Sequence, residues 1–169
     1  AKRNALIKNL DSVETLGSAS VICTDKTGTL TRNEMTLRSI WLTGGDLISI
    51  TGEGYQKSGE LRFAQETETG AARLEQLLQA GLNNCKAVID KTGIRGDPTE
   101  LAIVAAAYKK GIEDISGEKV QEHVFTSERK MMSSVFLKDG KSFIYSKGAA
   151  EVLLEKCNFY QNMDNTSIP

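Results

Sequence analysis

The sequence predicts an α+β protein: an antiparallel sheet flanked by helices over most of its length, preceded by a fragment of α/β character. Three observations carry that prediction. Residues 5–7 and 21–23 are short apolar runs, and between them Leu10, Val13 and Leu16 recur at helical spacing with Gly17 as a stop. That is the strand–helix–strand start of a parallel unit. From Asn33 onward this pattern ceases, and two pairs of strand-like runs are each joined by a turn dipeptide, Gly44-Gly45 and Asp139-Gly140. Between the pairs lie two longer helical stretches. The expected boundary gives a first segment over 1–34 and a second domain over 35–169.

In chain order, residues 35–42 and 46–51 read as strands around the Gly44-Gly45 turn, and Gly52, Gly54, Ser58 and Gly59 mark loops. Leu74, Leu77, Leu78, Leu82 and Cys85 fall on one face of a long helix. Gly96-Asp97-Pro98-Thr99-Glu100 opens a second helix that runs to Gly111. There Asp97 is an N-cap, Pro98 takes the first helical position, and Glu100 stands three residues past the cap, where a capping box places its carboxylate. Residues 120–125, 131–137 and 142–146 read as strands, and Val152, Leu153 and Leu154 as a last helix after Gly148.

Composition bounds the function. Of 169 residues, 40% are hydrophobic and 25% charged, which is globular rather than disordered. Lysine and arginine number 21 against 22 acidic residues, so no net field favours nucleic acid as a partner. The longest apolar run, 101–108, falls far short of the roughly 20 residues a membrane span needs. Cys23, Cys85 and Cys157 are odd in number and form no C-x-x-C pair. They read as three reduced structural thiols in a cytosolic setting rather than as disulfides or zinc ligands.

One short string stands apart. The apolar run at 21–23 gives way to Asp25, and Lys26, Thr27, Gly28 and Thr29 follow. A parallel strand delivers its last residue to the carboxyl edge of the sheet, where open α/β sheets bind ligands. Gly28 lets the backbone approach a phosphate closely, and the threonine hydroxyls and loop amides can hydrogen-bond its oxygens. A carboxylate in such a cradle is a candidate nucleophile for an aspartyl phosphate. The plain structural reading of the same residues is an Asx turn at a strand end.

Asp25-Lys26-Thr27-Gly28-Thr29, with Leu30-Thr31 behind it, resembles the phosphorylation loop of P-type ATPases, cation pumps that pass through an aspartyl phosphate. The resemblance implies that 1–34 is a piece of a haloacid-dehalogenase-like phosphorylation domain and that 35–169 is a nucleotide-binding domain. It implies Asp25 as the phosphorylated residue, with Asp25 and Thr27 helping to hold Mg²⁺. Soluble phosphatases of the haloacid dehalogenase class share this strand and nucleophile. They usually add a second Asp two positions on, a general acid/base that speeds hydrolysis, and here that position is Thr27. A nucleophile without that partner suits the longer-lived phosphoenzyme of a pump.

Further strings resemble the same family. Gly96-Asp97-Pro98-Thr99-Glu100 is similar to the G-D-P-T-E of calcium-type pumps, which implies an adenine contact for Glu100 with Thr99 beside it. Phe125-Thr126-Ser127-Glu128-Arg129-Lys130-Met131-Met132 resembles F-x-S-x-R-K-x-M, which implies Phe125 stacked on adenine with Arg129 and Met132 at the nucleotide. Ser127 stands where some animal calcium pumps carry a phosphate-contacting Arg. Lys147-Gly148-Ala149-Ala150-Glu151 resembles K-G-A-P-E, with Ala150 in place of Pro, and implies Lys147 at the back of the adenosine pocket with Gly148 next to it.

Thr51-Gly52-Glu53 copies the T-G-E of the family's actuator loop, but that loop precedes the phosphorylated Asp. After it, calcium-type pumps carry a similar TG-x-GY turn, so Glu53 reads as structural. This turn favours type II pumps, together with Asn4-Ala5-Leu6-Ile7 and Val13-Glu14-Thr15-Leu16-Gly17. Heavy-metal pumps would show a His-Pro pair, whereas His123 is followed by Val124 and reads as an edge-strand residue.

The resemblance therefore implies the ATP-binding portion of a pump at the cytoplasmic face of a membrane, with ATP and Mg²⁺ as cofactors. Its partners are the remaining phosphorylation, actuator and transmembrane domains of the same parent chain. Ca²⁺ is the favoured ion. Pumps for Na⁺, Mn²⁺ or H⁺ stay open, as do a soluble haloacid-dehalogenase-like phosphotransferase and a non-catalytic nucleotide module. The family's G-D-G-x-N-D string does not occur in the sequence. In the family the nucleotide domain also runs several dozen residues past K-G-A-P-E. The expectation is a C-terminally incomplete domain, inactive by itself.

Overall fold

The computed structural model describes residues 9–162, 164 and 166–169. The chain divides into two units, Ala1–Asn33 and Glu34–Pro169. In the first, helix α1 (Leu10–Gly17) follows Asn9 and closes where the Ser18 amide donates to the Glu14 carbonyl at 3.0 Å. The strand expected at 21–23 does not form, and Val21 and Ile22 are 76% and 85% exposed. Apolar character does not make a strand, because the backbone needs a neighbour to supply ladder partners. The described residues of this unit include no strand, and the strand expected at 5–7 lies outside the described residues.

The second unit opens with β1 (Ser39–Trp41) and β2 (Leu47–Ile50), a hairpin around Gly44-Gly45 with Ile40 opposite Ile48. Ile48 and Ile50 are buried while Leu47 and Ser49 face out, the period of two that marks a sheet with one face on the core. Strand β3 (Leu61–Phe63) adds to β2. The intervening loop closes on itself: the Thr51 amide donates to the Glu60 carbonyl at 3.0 Å, and the Glu60 amide donates to Thr51 Oγ1 at 2.9 Å. Lys109 Nζ and Arg38 Nη1 donate to the Thr51 and Gly52 carbonyls, so the T-G-E look-alike sits in a fastened turn.

Helix α2 (Glu68–Asn83) starts at Thr67, whose hydroxyl accepts from the Gly70 amide at 3.0 Å. Leu74, Leu78 and Leu82 are buried, but the apolar face is narrower than the sequence suggests. Leu77 lies at its edge and is 45% exposed, and Cys85 stands beyond the helix end. Buried Arg73 fastens α2 to the first hairpin, pairing with Asp46 at 2.7 Å and donating to the Thr43 carbonyl.

A short hairpin, β4 (Val88–Asp90) with β5 (Gly93–Arg95), leads to α3 (Pro98–Lys109). The second sheet has the order β6 (Glu118–His123), β7 (Met131–Lys138), β8 (Lys141–Gly148), every pair antiparallel. Asp139 and Gly140, with φ of 50° and 71°, make the expected two-residue turn between β7 and β8. His123 ends the edge strand β6. Helix α4 (Ala150–Leu154) and the ribbon β9 (Tyr160–Gln161) with β10 (Ser167–Ile168) follow.

The core joins Ile40, Ile48 and Ile50 to the leucines of α2 and to Leu101, Val104, Ala106 and Ala107 of α3. Phe136 of β7 is also fully buried. This is the expected α+β class. Cys23, Cys85 and Cys157 are all free thiols. Among the described residues no helix is long and apolar enough to cross a membrane.

Candidate functional site

Three elements of the second unit meet around a cleft of about 590 Å³, lined by Asp97, Thr99, Glu100, Ile103, Phe125, Met132, Lys147 and Gly148. Six of these are residues the sequence singled out: Thr99, Glu100, Phe125, Met132, Lys147 and Gly148. Each arrives by a local device.

Phe125 lies just past the end of β6, in a segment folded back on itself. The Lys130 amide donates to the Thr126 carbonyl at 2.8 Å, the Arg129 amide to Thr126 Oγ1 at 3.2 Å, and Arg129 Nη1 to the Val124 carbonyl at 3.3 Å. Phe125 is left 56% exposed. Gly148 brings the end of β8 against this segment, since a Cβ there would meet the Lys130 carbonyl oxygen at 2.4 Å. The Ala149 amide then donates to that oxygen at 2.9 Å. Arg129 itself does not line the cleft. It borders a neighbouring depression with Glu128, Met131, Val152 and Lys156.

Glu100 sits in the first turn of α3. Asp97 caps that helix as expected, its Oδ1 accepting from the Thr99 amide at 2.8 Å and the Glu100 amide at 3.3 Å. The reciprocal half of a capping box is not made. Glu100 turns its carboxylate away from the cap: Oε2 accepts from the amides of Lys86 and Ala87 at 2.8 and 3.1 Å, and Oε1 takes Lys147 Nζ at 2.6 Å. Two backbone amides and an ammonium outcompete a single cap amide for one carboxylate.

Lys147 comes from β8, opposite Met132 in the ladder. Besides Glu100, its ammonium lies 3.6 Å from the Cys85 sulfur. Burial pushes the Cys85 thiol up to about 11, with the Lys147 charge working against that rise. Cys85 and the Lys86 and Ala87 amides belong to no motif; in the sequence Asp97 signals only a cap, and Ile103 carries no signal. Backbone amides leave no side-chain signature for a sequence to show.

A second depression, of about 610 Å³, lies between α2 and the β7–β8 hairpin. It holds none of the predicted residues. Glu75 and Asp139 face Lys138 and Lys141 in it, so it presents no single charge. The cleft at Phe125 instead sets an exposed aromatic residue beside a partly buried ion pair.

Asp25 and Thr27 belong to the first unit. The Thr27 amide donates to Asp25 Oδ1 at 3.2 Å, which is the Asx turn. Gly28 has φ of 73°, and its amide donates to Thr31 Oγ1 at 3.3 Å. Asp25 is exposed at the head of this loop. Among the described residues no three His, Cys, Asp or Glu side chains gather where a metal ion could be held.

The family described as P-type ATPase, cytoplasmic domain N, matches residues 73–169, which contain the whole cleft. The chain is 35% identical to the human calcium-transporting ATPase type 2C member 1, over 98% of this chain and 19% of that protein. It is 36% identical to the human calcium-transporting ATPase type 2C member 2, over 96% of this chain and 18% of that protein. Identity to the calcium-transporting ATPase of Bacillus subtilis is 37%, over 92% of this chain and 18% of that protein. The chain thus spans less than a fifth of the length of these curated relatives. With an α+β fold, an aromatic cleft and a family match over more than half its residues, the chain belongs to the P-type ATPases, in their cytoplasmic domain N.

Proposed function

We propose that this chain is the ATP-binding part of a membrane cation pump. Residues 35–169 form its nucleotide-binding domain, and 1–34 the start of a phosphorylation domain in which Asp25 receives the γ-phosphate of ATP. The observation that carries the reading is the convergence of Phe125, Glu100 and Lys147, from a turn, a helix and a strand, on one cleft. The adenine ring lies on the open face of Phe125, an interaction worth roughly 1–3 kcal/mol per base. Ile103 and Met132 supply apolar walls, and Lys147 and Glu100 a donor and an acceptor. Thr99, Gly148 and, from outside the cleft, Arg129 complete the nucleotide-binding set.

Asp25 acts as the nucleophile: a carboxylate oxygen bonds to the γ-phosphorus as the bond to the departing ADP oxygen breaks. Mg²⁺, when bound, neutralises charge on the transferring phosphoryl group, and Asp25 and Thr27 are the residues here that would hold it. Both are hard oxygen donors, which fits this ion. They would supply part of its shell, with other parts of the parent chain supplying the rest. The phosphoenzyme then drives cation transport through transmembrane domains of the parent, with this portion on the cytoplasmic face. Support for Ca²⁺ as the ion comes from the names of the relatives above, which are calcium-transporting ATPases.

Titrating ATP into the isotope-labelled chain tests the reading. Backbone amide shifts should move near Phe125, Glu100 and Lys147. Affinity should be in the high-micromolar to millimolar range, about −4 to −5 kcal/mol, since one stacked base and few phosphate contacts supply little more. Shifts confined to residues 25–31 would overturn the assignment.

A further inference from the structure

Glu100 and Lys147, the ion pair of the cleft, share a floor, the segment 84–87 between α2 and β4. The amides of Lys86 and Ala87 hold Glu100 Oε2, and the Cys85 sulfur lies against Lys147 Nζ. Ala87 packs so closely on Gly96 that a Cβ at Gly96 would come within 2.6 Å of it. The Lys86 ammonium reaches on to Glu122 of β6. This segment has no helix or strand of its own, so something must fix it. Asn84 does so. It is 1% exposed, its Oδ1 accepts from Ser134 Oγ at 2.8 Å, and its Nδ2 donates to the Met132 carbonyl at 3.4 Å. Both partners lie on β7, and the Met132 side chain lines the cleft. One amide side chain therefore ties the floor to the sheet.

We propose that Asn84 is a positioning residue for the nucleotide cleft. It touches no ligand. It acts by holding the Lys86 and Ala87 amides where they fix Glu100, and through Glu100 the ammonium of Lys147. The proposal rests on the nucleotide reading for its ligand but not for its geometry, and the test separates the two.

The 169-residue chain carrying Asn84→Ala is compared with the parent chain and with Ile48→Val, a core change that does not line the cleft, using ATP as the probe. The dissociation constant of Asn84→Ala should rise about tenfold, the worth of roughly one buried hydrogen bond. In the ligand-free protein its Lys86 and Ala87 amides should exchange hydrogen about tenfold faster, beyond any change at Leu78 and Phe136. Ile48→Val should keep its affinity within about twofold. Should Asn84→Ala not fold, Ser134→Ala, which removes only the bond to Oδ1, should give the same pattern at about threefold. Unchanged affinity, unchanged exchange at Lys86 and Ala87, or protection lost evenly across the core each overturns the proposal. A parent chain that binds no ATP overturns the nucleotide reading instead, and exchange at Lys86 and Ala87 then decides the positioning role alone.

Discussion

A carboxylate offers about four lone-pair sites, and Glu100 uses three of them: two on backbone amides and one on Lys147. Glu100 lines the cleft together with the Phe125 ring. Phe125 is more than half exposed and contributes little to the core, so its removal separates binding from stability. Phe125→Ala should weaken ATP binding about tenfold or more, the loss of one stacked base, while changing stability by less than about 1 kcal/mol. Titration and urea unfolding of the same variant read the two quantities. Cys85 permits a second prediction at this scale. Its thiol rises from an ordinary 9.0 to about 11 because the thiolate is penalised by burial. Between those values the folded protein keeps a proton that the unfolded chain has released. The thiol's contribution, on the order of 2–3 kcal/mol, is therefore fully present below pH 9 and is lost as pH rises toward 11. Removing the thiol removes that slope. The melting-temperature gap between the natural chain and Cys85→Ala should be constant below pH 9 and shrink from 9 to 11.

Helix α3 carries Glu100 to the cleft, and its start is set by local chemistry. Asp97 satisfies two orphan amides, and Pro98 occupies a position where no N–H is needed. Asp97→Ala should cost about 1 kcal/mol in urea unfolding and also weaken ATP binding, because the turn that aims Glu100 loses its anchor. An unchanged midpoint would show that the cap contributes nothing. Such local signals are what made this helix legible from sequence, and the Asp139-Gly140 hairpin was legible for the same reason. Strands β3, β4 and β5 were not. Each has three residues, too few to display an alternation, and they exist because a neighbour pairs with them. The converse failure is 21–23, an apolar run that reads as a strand and has no described partner. The cleft shows the same division. The strings bearing Phe125, Glu100 and Lys147 were visible through their resemblance to a family, whereas the floor at 84–87 was not. Its work is done by backbone amides and by a buried Asn whose partners lie 48 and 50 positions along the chain.

At the scale of the whole chain, the two units differ in what holds them. Residues 132–137 lie in a strand paired on both sides, while 21–24 have no ladder and expose their aliphatic side chains. Ordering a residue costs about 1–2 kcal/mol of backbone entropy, which exposed side chains cannot offset. In dilute solution the amides of 21–24 should therefore exchange far faster than those of 132–137, and equal protection would mean that the unit boundary is misplaced. The same contrast bears on chemistry. The proposed phosphoryl transfer would need the Asp25 carboxylate in line with the γ-phosphorus and a metal ion to neutralise the charge on the transferring group. Asp25 heads an exposed Asx turn, one of its oxygens already accepts the Thr27 amide, and Thr27 is the only other donor the family pattern supplies here. Two donors do not fix an ion that demands near-octahedral oxygen coordination. The 169-residue chain, incubated with γ-labelled ATP and Mg²⁺ and then quenched in acid, should carry no label even where the amide titration shows that ATP binds. Acid-stable label present in the natural chain and missing from Asp25→Asn would mean that this chain completes its own metal site.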